Sequence, residues 1–346
     1  MRNLFLLISI SFCLGYCQFL LGIPQDFVRP IILTIEQYPI KPSEIEYLKK
    51  VRPYGILMYG KRPNVTESAL VIPALKKQLN RPDLLFFIDH EGGTVNRFHK
   101  KYPKRFPSAR SFGEKAEKNL DQAKKDLYAN ASDAGKLIKE VGFNGVFGPA
   151  AELCLGENFL TTRCYSKDPH ITAELAETFA QAMSDAGLEP AYKHLPGIAG
   201  ADKDNHKTKS TVNRTLDEIR NQEAVAMKYA KNWQYAMTSH VLYPSLDPVN
   251  IATYSPKVNQ FIRKELGFEG FIVTDSLNME GSFVEGLSYG ERMQKALEAG
   301  ADLVVPVFNT HSTQKRWHEI QKISPEQIKK FNKKLRRMKK RKKFFI

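Results

Sequence analysis

The sequence predicts a single (β/α)8 barrel, and three observations carry that prediction. Eight short apolar runs are spread along the 346 residues, amphipathic helical patterns lie between them, and no linker or low-complexity tract divides the body of the chain. Near-continuous apolar runs are typical of parallel strands that are covered on both faces. A barrel of this type accommodates about 250 residues or more in one domain, so no second domain is needed.

Each apolar run has the length of one strand and is bounded by turn-forming or polar residues. In chain order the runs are PIILTI from Pro30, GILMY from Gly55, LLFFID from Leu84, NGVFGP from Asn144, EPAYKH from Glu189, YAMTSH from Tyr235, GFIVTD from Gly270 and DLVVPV from Asp302. Helical patterns such as those after Pro169 and from Tyr289 close with Gly, the residue that most readily ends a helix. The alternation predicts one barrel over residues 27–328.

The first 23 residues have the pattern of an export segment. One Arg precedes an apolar run from Leu4 to Leu14, and a second apolar patch reaches Ile23. About 7–15 apolar residues after a positive residue are typical of a secretory signal, whereas about 20 are needed to span a bilayer. We therefore expect a signal peptide or membrane anchor at 1–23 and an exported, periplasmic or envelope-anchored protein, or a cytoplasmic one if this segment is not a signal.

The formal net charge of +15 is concentrated at the C-terminus. Residues 329–346 contain eleven Lys and Arg and no acid, so the remainder of the chain carries only +4. Such a tail is usually a frayed, solvated end; the alternative is attachment to anionic lipid, a wall polymer or nucleic acid. Because positive and negative charges nearly balance in the rest of the chain, nucleic acid is not expected as the primary partner. We also expect a monomer.

The cysteines and histidines do not form a metal or redox motif. Cys154 and Cys164 lie ten residues apart, and in an exported protein they could equally form a bridge or remain two thiols. No Cys/His spacing resembles a zinc site, and no glycine-rich phosphate loop is present. We expect neither a metal nor an organic cofactor.

Ionisable residues repeatedly follow the predicted strands. Asp89 ends the third run, Lys193 and His194 the fifth, His240 the sixth and Asp275 the seventh. In a barrel the carboxyl ends of the strands form one face, where active sites lie.

A ring of carboxylates, imidazoles and cations favours acid and base chemistry on a hydroxyl-rich substrate. Glycosyl transfer needs one carboxylate at the sugar centre and one proton donor for the leaving oxygen. Asp275 offers the first, and Asp204 with His206, two residues apart on a polar loop, offers the second.

Four motifs then show a resemblance to a known family. FFIDHEGGTVNRF, KHLPGIAGADKDNH, AMTSHVLYPSLDP and ELGFEGFIVTDSLNMEG, in this order, resemble motifs of family 3 glycoside hydrolases, specifically the single-domain bacterial β-N-acetylhexosaminidases of the NagZ type. The resemblance runs from about residue 30 to 308. It implies a retaining glycosidase in which Asp275 matches the nucleophile, His206 the acid/base and Asp204 its partner. It further implies a set of residues that hold the sugar: Asp89, Arg97, Arg163, Lys193, His194 and Met279.

This chain also departs from the family pattern. His90 stands where Gln is common, Thr94 where Arg is common, and Ile198 and Ala199 where a His-Gly pair is common. The catalytic set is retained, so we expect hydrolysis of terminal β-linked N-acetylglucosamine, from peptidoglycan fragments or related glycans. The alternatives are a β-glucosidase or an N-acetylglucosaminide phosphorylase of the same family, and a non-catalytic protein that binds glycan or cell wall.

Overall fold

The computed structural model describes residues 27–35, 40–58, 65–97, 106–156, 159–230, 233–308 and 312–341. The export segment predicted at residues 1–23 lies outside the described residues. No helix within the described ranges is both long and apolar enough to cross a membrane.

Eight parallel strands form a closed barrel, which confirms the predicted fold class. Strands that are consecutive in the barrel pair with each other, and the last pairs with the first through Ile31 and Val304. Each strand overlaps one of the eight predicted apolar runs. The strands are β1 (Arg29–Ile35), β2 (Pro53–Met58), β3 (Leu85–Gly92), β4 (Gly145–Ala150), β5 (Glu189–Leu195), β6 (Tyr235–Thr238), β7 (Phe271–Ser276) and β8 (Leu303–Val305).

Helices surround the barrel and return the chain from the end of one strand to the start of the next. They are α1 (Pro42–Val51), α2 (Val65–Gln78), α3 (Ala109–Ala116), α4 (Leu120–Val141), α5 (Pro169–Asp185), α6 (Val225–Tyr229), α7 (Pro256–Lys264), α8 (Tyr289–Ala299), α9 (Thr313–Ile320) and α10 (Pro325–Lys340). Except for α10, the apolar faces of these helices pack on the outside of the strands, within the larger of the two main clusters of buried side chains.

The two helices singled out in the sequence begin and end for identifiable reasons. The Asp168 side chain accepts hydrogen bonds from two backbone N–H groups at the start of α5, and Pro169 occupies its first turn. Ser288 and Glu291 form a reciprocal capping box at the start of α8. Gly300, with φ of 116°, ends α8 in the left-handed conformation.

Aromatic side chains fill the barrel interior. Phe87 stacks on Phe147 with ring centroids 5.4 Å apart. Gly55 and Gly145 on the flanking strands make room for Phe87, because a Cβ at either position would lie within 2.6 Å of its ring. The interior is therefore a packed core, and substrate can bind only at an end of the barrel.

The helix α10 closes the amino-terminal end of the barrel and corrects one sequence prediction. Phe331, Leu335 and Met338 are buried among the interior residues, and the Phe331 ring lies 5.3 Å from Tyr54 near the start of β2. The boundary predicted at 328/329 falls inside this helix. The prediction of a frayed end is wrong for residues 329–341. Their apolar residues recur at helical spacing and pack against the base of the barrel.

Candidate active site

The carboxyl ends of three barrel strands bring the charged residues of the motifs together. Asp89 lies on β3, Lys193 and His194 on β5, and Asp275 on β7. Lys193 Nζ is 3.0 Å from Asp89 Oδ1, and His194 Nε2 is 3.8 Å from Asp275 Oδ2. These four residues form one polar centre at the end of the barrel opposite α10.

Five charged side chains form a connected network in this centre. Lys193 Nζ lies 2.6 Å from Glu91 Oε1, and Arg163 donates two hydrogen bonds of 2.9 and 3.0 Å to the same carboxylate. Arg97 donates to Asp89 Oδ2 at 3.1 Å. Burial would raise the pKa of Glu91, but the charges of Arg163 and Lys193 outweigh it and hold that pKa at about 2. The Glu91 carboxylate is therefore ionised at neutral pH.

Glu91 follows the third predicted strand together with Asp89 and His90, but the sequence assigned it no role, although it links Arg163 to Lys193. The signal was present in FFIDHEGG, because residues two apart in a strand point to the same side. Asp89 and Glu91 therefore both face the ammonium group of Lys193. In this motif the resemblance assigned sugar-binding positions to Asp89 and Arg97 and none to Glu91.

Asp275 is a partly accessible carboxylate at the end of β7, with 15% of its side chain exposed, close to the 17% of Asp89. Its Oδ1 accepts a hydrogen bond from Ser276 N at 2.7 Å, which fixes the carboxylate orientation. His240 Nε2 donates to Ser276 O at 3.0 Å, and its Nδ1 lies 2.7 Å from Thr253 Oγ1. Since both ring nitrogens of the buried His240 are engaged, this residue holds the end of β7 in place.

Glu152 is hydrogen-bonded to the backbone of His194 and lies next to its imidazole. It is fully buried, and its carboxyl accepts hydrogen bonds from His194 N at 2.7 Å and from Ile198 N at 2.9 Å, while His194 Nδ1 lies 3.1 Å away. Burial raises the pKa of Glu152 to about 8. Burial, Arg163 and Lys193 together lower the pKa of His194 well below its usual value, so this imidazole is neutral.

Glu152→Gln is expected to change how stability depends on pH. Because Glu152 titrates near 8 in the folded chain and near 4.5 unfolded, its contribution is fully present below 4.5 and is lost as pH rises to 8. Gln cannot ionise, so the stability difference between wild type and variant should shrink over this range. Urea unfolding of both proteins between these pH values measures it, and a constant difference would contradict the assignment. Burial raises the pKa of Glu223 to about 7, and its charge is one of those that raise the pKa of Glu152, so the measured difference includes the coupling between the two acids.

Asp204 and His206 form the predicted pair on the loop that follows β5. His206 Nδ1 lies 2.8 Å from Asp204 Oδ1, and His206 N donates to the same oxygen at 3.0 Å. Burial would raise the pKa of Asp204, but the bonds from His206 outweigh it and lower that pKa. The imidazole side chain is 48% exposed. A carboxylate on Nδ1 leaves Nε2 as the nitrogen that can exchange a proton with a bound molecule.

The loop that carries this pair is held against the segment that follows Asp275. Gly281 N donates to Asn205 O at 3.0 Å, and Glu280 N to His206 O at 3.4 Å. Met279, 8% exposed, lies directly before this contact. His206 is also one of the charges that lower the pKa of the buried His194. The loop therefore brings the Asp204–His206 pair to the same centre as Asp275.

Gly281→Ala is expected to displace this loop and lower kcat/KM by roughly 100-fold, the cost of about 1 Å of misplacement. A Cβ at Gly281 would lie 2.7 Å from Asn205 O, and a backbone oxygen cannot rotate away. Steady-state kinetics test this effect. Glu285→Ala is the control, because Glu285 is an exposed side chain on the same segment. Equal activity of the two variants would show that the contact does not position His206.

The positions that depart from the family pattern mostly face the protein interior. Ile198 and Ala199 are 1% and 3% exposed and join the main core cluster. His90 is 1% exposed and its ring lies edge-on to Phe106 at 5.2 Å, where burial lowers its pKa to about 4. Thr94 alone of the four is exposed. The departures therefore change packing at the loop base and leave the Asp204–His206 pair in place.

A disulfide joins Cys154 to Cys164 and decides between the two alternatives that the sequence left open. The backbone of Glu152 also forms a β-bridge with Cys164. The bridged segment carries Arg163 immediately before its second cysteine. It therefore fixes the loop that presents the guanidinium to Glu91.

The arrangement supplies an accessible carboxylate, an imidazole–carboxylate pair and an ion network that can bind hydroxyl groups. These are the groups required for attack on a sugar carbon with proton transfer to the leaving oxygen. Within the described part of the chain, no three His, Cys, Asp or Glu side chains are grouped so that they could hold a metal ion.

Comparison with known structures shows the same fold. A family 3 β-N-acetylglucosaminidase from Paenibacillus sp. FPU-7 aligns with a TM-score of 0.81 and 24% identity, covering 92% of this chain and 62% of that one. NagZ from Neisseria gonorrhoeae, in complex with N-trifluoroacetyl-D-glucosamine, aligns with a TM-score of 0.77 and 24% identity, covering 89% and 90%. The chain thus spans less than two thirds of the first protein and nearly all of the second.

Curated relatives and a family model agree with this match. β-Hexosaminidases from Nitrosospira multiformis and Thioalkalivibrio sulfidiphilus are 27% and 30% identical, over 82% and 80% of this chain and the same shares of theirs. The model of the glycosyl hydrolase family 3 N-terminal domain matches residues 40–340. The chain belongs to glycosyl hydrolase family 3 and is a glycoside hydrolase.

Proposed function

We propose that this protein removes terminal β-linked N-acetylglucosamine from glycans with retention of configuration, and that its substrates are peptidoglycan fragments. The curated relatives that match over most of their length are named β-hexosaminidases, which supports the sugar class. The observation that carries the mechanism is the contact of Gly281 N with Asn205 O, because it holds the His206 loop against the strand end that bears Asp275.

In the first step, Asp275 attacks the anomeric carbon while His206 Nε2 gives its proton to the departing glycosidic oxygen. The bond to the leaving group breaks as the bond to the Asp275 carboxylate forms, which gives a covalent glycosyl-enzyme. In the second step a water molecule attacks the same carbon, its proton passes to His206, and the Asp275 carboxylate is released. Asp204 holds the imidazole in the required tautomer and stabilises its positive form.

The ion network would hold the sugar hydroxyls. Asp89 and Lys193 are paired at 3.0 Å, so a hydroxyl can donate to the carboxylate and accept from the ammonium together. Arg97 and Arg163 keep the two acids oriented. His194 Nε2, 3.8 Å from Asp275, is placed to contact a hydroxyl beside the reacting carbon, and Met279 lines the subsite.

A phosphorylase of the same family is the second candidate, favoured by the acid/base being an imidazole. A neutral His206 repels an anionic phosphate less than a carboxylate would, so phosphate could replace water in the second step.

Release of p-nitrophenol from the β-N-acetylglucosaminide and the β-glucoside, with and without phosphate, tests the assignment. We expect turnover of the acetamido sugar that phosphate does not accelerate. Acceleration by phosphate would identify a phosphorylase, and preference for the glucoside a β-glucosidase. Binding of N-acetylglucosamine without turnover of either substrate would favour a non-catalytic glycan-binding protein.

We also propose that the protein is exported and acts at the cell envelope as a monomer. The apolar run after Arg2 supports export. Fractionation of cells that express the full chain tests this location, and recovery in the cytoplasmic fraction alone would contradict it.

A further inference from the structure

The outer surface of α10 is a strongly basic face at the base of the barrel. The apolar side of the helix is buried against the barrel interior, so its other side is turned to solvent. Eight exposed cations make up this basic face: Lys329, Lys330, Lys333, Arg336, Arg337, Lys339, Lys340 and Arg341.

Acidic residues at the barrel base cancel only a small part of this charge. Glu269 binds Arg341 at 2.9 Å, whereas Asp83 and Asp302 have other cationic partners. Asp83 binds Arg81 at 2.7 Å, and Asp302 binds Lys334 at 2.8 Å as well as Arg263. Lys339 is one of the charges that lower the pKa of Asp83 against the effect of burial, which places the end of α10 beside the start of β3.

Other basic residues extend the charge around α10. The last turns of α1, α2 and α7 also carry basic side chains, and helices of a barrel end at its base. The exposed ones are Lys49, Lys50, Lys77 and Lys264, of which Lys49 binds Glu46 at 2.8 Å.

The described chain begins at the same surface. Val28 N donates to Asn332 Oδ1 at 3.2 Å, and Asn332 Nδ2 donates to Val28 O at 2.8 Å, so β1 starts against the middle of α10. Arg52 holds Phe27 O at 3.1 Å. The described chain therefore begins beside the basic face, and in the sequence it begins four residues after the apolar stretch 4–23.

We propose that the basic face of α10 docks on an anionic lipid bilayer, so that the protein sits base-first on the membrane. Stable attachment to a membrane commonly needs two signals, an apolar anchor and a polybasic patch. Here the basic face lies at the end of the barrel where the described chain begins, and the sequence before that point is apolar. A bilayer is favoured over a linear polyanion because the adjoining apolar segment has no function in binding a polyanion.

The orientation has a functional consequence. Asp275 and the Asp204–His206 pair lie at the carboxyl ends of the strands, whereas α10 covers their amino ends. Docking through α10 therefore points the mouth of the barrel away from the bilayer, and soluble glycan fragments reach it from the space beyond the membrane. The basic face is the same whichever substrate the barrel binds.

Partition of the full chain into vesicles tests the proposal. Lipid titrations compare phosphatidylcholine vesicles with vesicles that also contain phosphatidylglycerol. The variant Lys330→Gln, Lys333→Gln, Lys340→Gln removes three charges from the basic face. The control Lys118→Gln, Lys125→Gln, Lys136→Gln removes three exposed charges from α4 and the turn before it. We expect the preference for anionic vesicles to fall by roughly 10- to 100-fold in the first variant alone, and high salt to weaken it in the wild type.

Equal partition into both vesicle types, or equal losses in both variants, would overturn the proposal. Tighter binding to polyphosphate or duplex DNA than to anionic vesicles, at equal concentration of negative charge, would also overturn it and assign the face to a linear polyanion. Vesicle-bound enzyme should keep its kcat/KM for a soluble p-nitrophenyl glycoside, and a loss on docking would contradict the base-first orientation. If the protein turns over no glycoside, the partition data still show whether the basic face binds the bilayer. Failure of the proposed activity can therefore be told apart from failure of the membrane proposal.

Discussion

Asp275→Ala is expected to lower kcat/KM for the β-N-acetylglucosaminide by about 10⁴-fold or more, as loss of a covalent nucleophile does in other enzymes. The carboxylate lies at the end of β7, oriented by Ser276 N and 3.8 Å from a neutral His194. The two neighbouring carboxylates at the described strand ends, Asp89 and Glu91, are held by Lys193 at 3.0 and 2.6 Å, so neither is placed to replace it.

The fold should survive this change, since the variant loses one hydrogen bond worth about 1 kcal/mol. Thermal unfolding should therefore shift by only a few degrees. Asp217→Ala is the matched control, because that side chain is 84% exposed and has no role in the proposed mechanism. Turnover by Asp275→Ala within ten-fold of this control would remove Asp275 from the nucleophile role.

His206→Ala is expected to lower kcat on a p-nitrophenyl glycoside by about 10²-fold or more, the range for loss of a general acid/base. p-Nitrophenolate leaves without much protonation, so the first step should suffer less than attack by water in the second. The glycosyl-enzyme should then accumulate, and KM should fall together with kcat. A natural glycan, whose leaving oxygen needs the proton, should lose more activity than the chromogenic substrate.

His318→Ala serves as the control for this variant, because His318 is an exposed imidazole on α9. Pre-steady-state kinetics of both variants should show a burst of p-nitrophenol only when His206 is absent. A rise in KM without a burst would instead mean that His206 binds the sugar.

The eight strands could be predicted because each is an apolar run that must be buried on both faces. The packing of α10 could not be predicted from the sequence, although Phe331, Leu335 and Met338 have helical spacing. Their partner is the base of the barrel, which exists only after all eight strands have closed. Eleven cations among eighteen residues instead favoured a solvated end.

For the site, the motifs located the individual residues, and the structure added the connections between them. The pairing of Asp204 with His206 follows from their two-residue spacing. The roles of Glu91 and Glu152 do not follow from local spacing, because each depends on a partner from a distant segment. Glu91 binds Arg163, and Glu152 binds His194. Long-range pairs of this kind are set by strand order around the barrel, which no local pattern contains.

The most direct test of the mechanism is to trap the glycosyl-enzyme with a 5-fluoro N-acetylglucosaminyl fluoride, which slows the second step. Mass spectrometry of the digested protein then locates the sugar. We expect one sugar per chain, attached to the peptide that contains Asp275 and absent from Asp275→Ala. Attachment to another residue, or inactivation without any adduct, would contradict it.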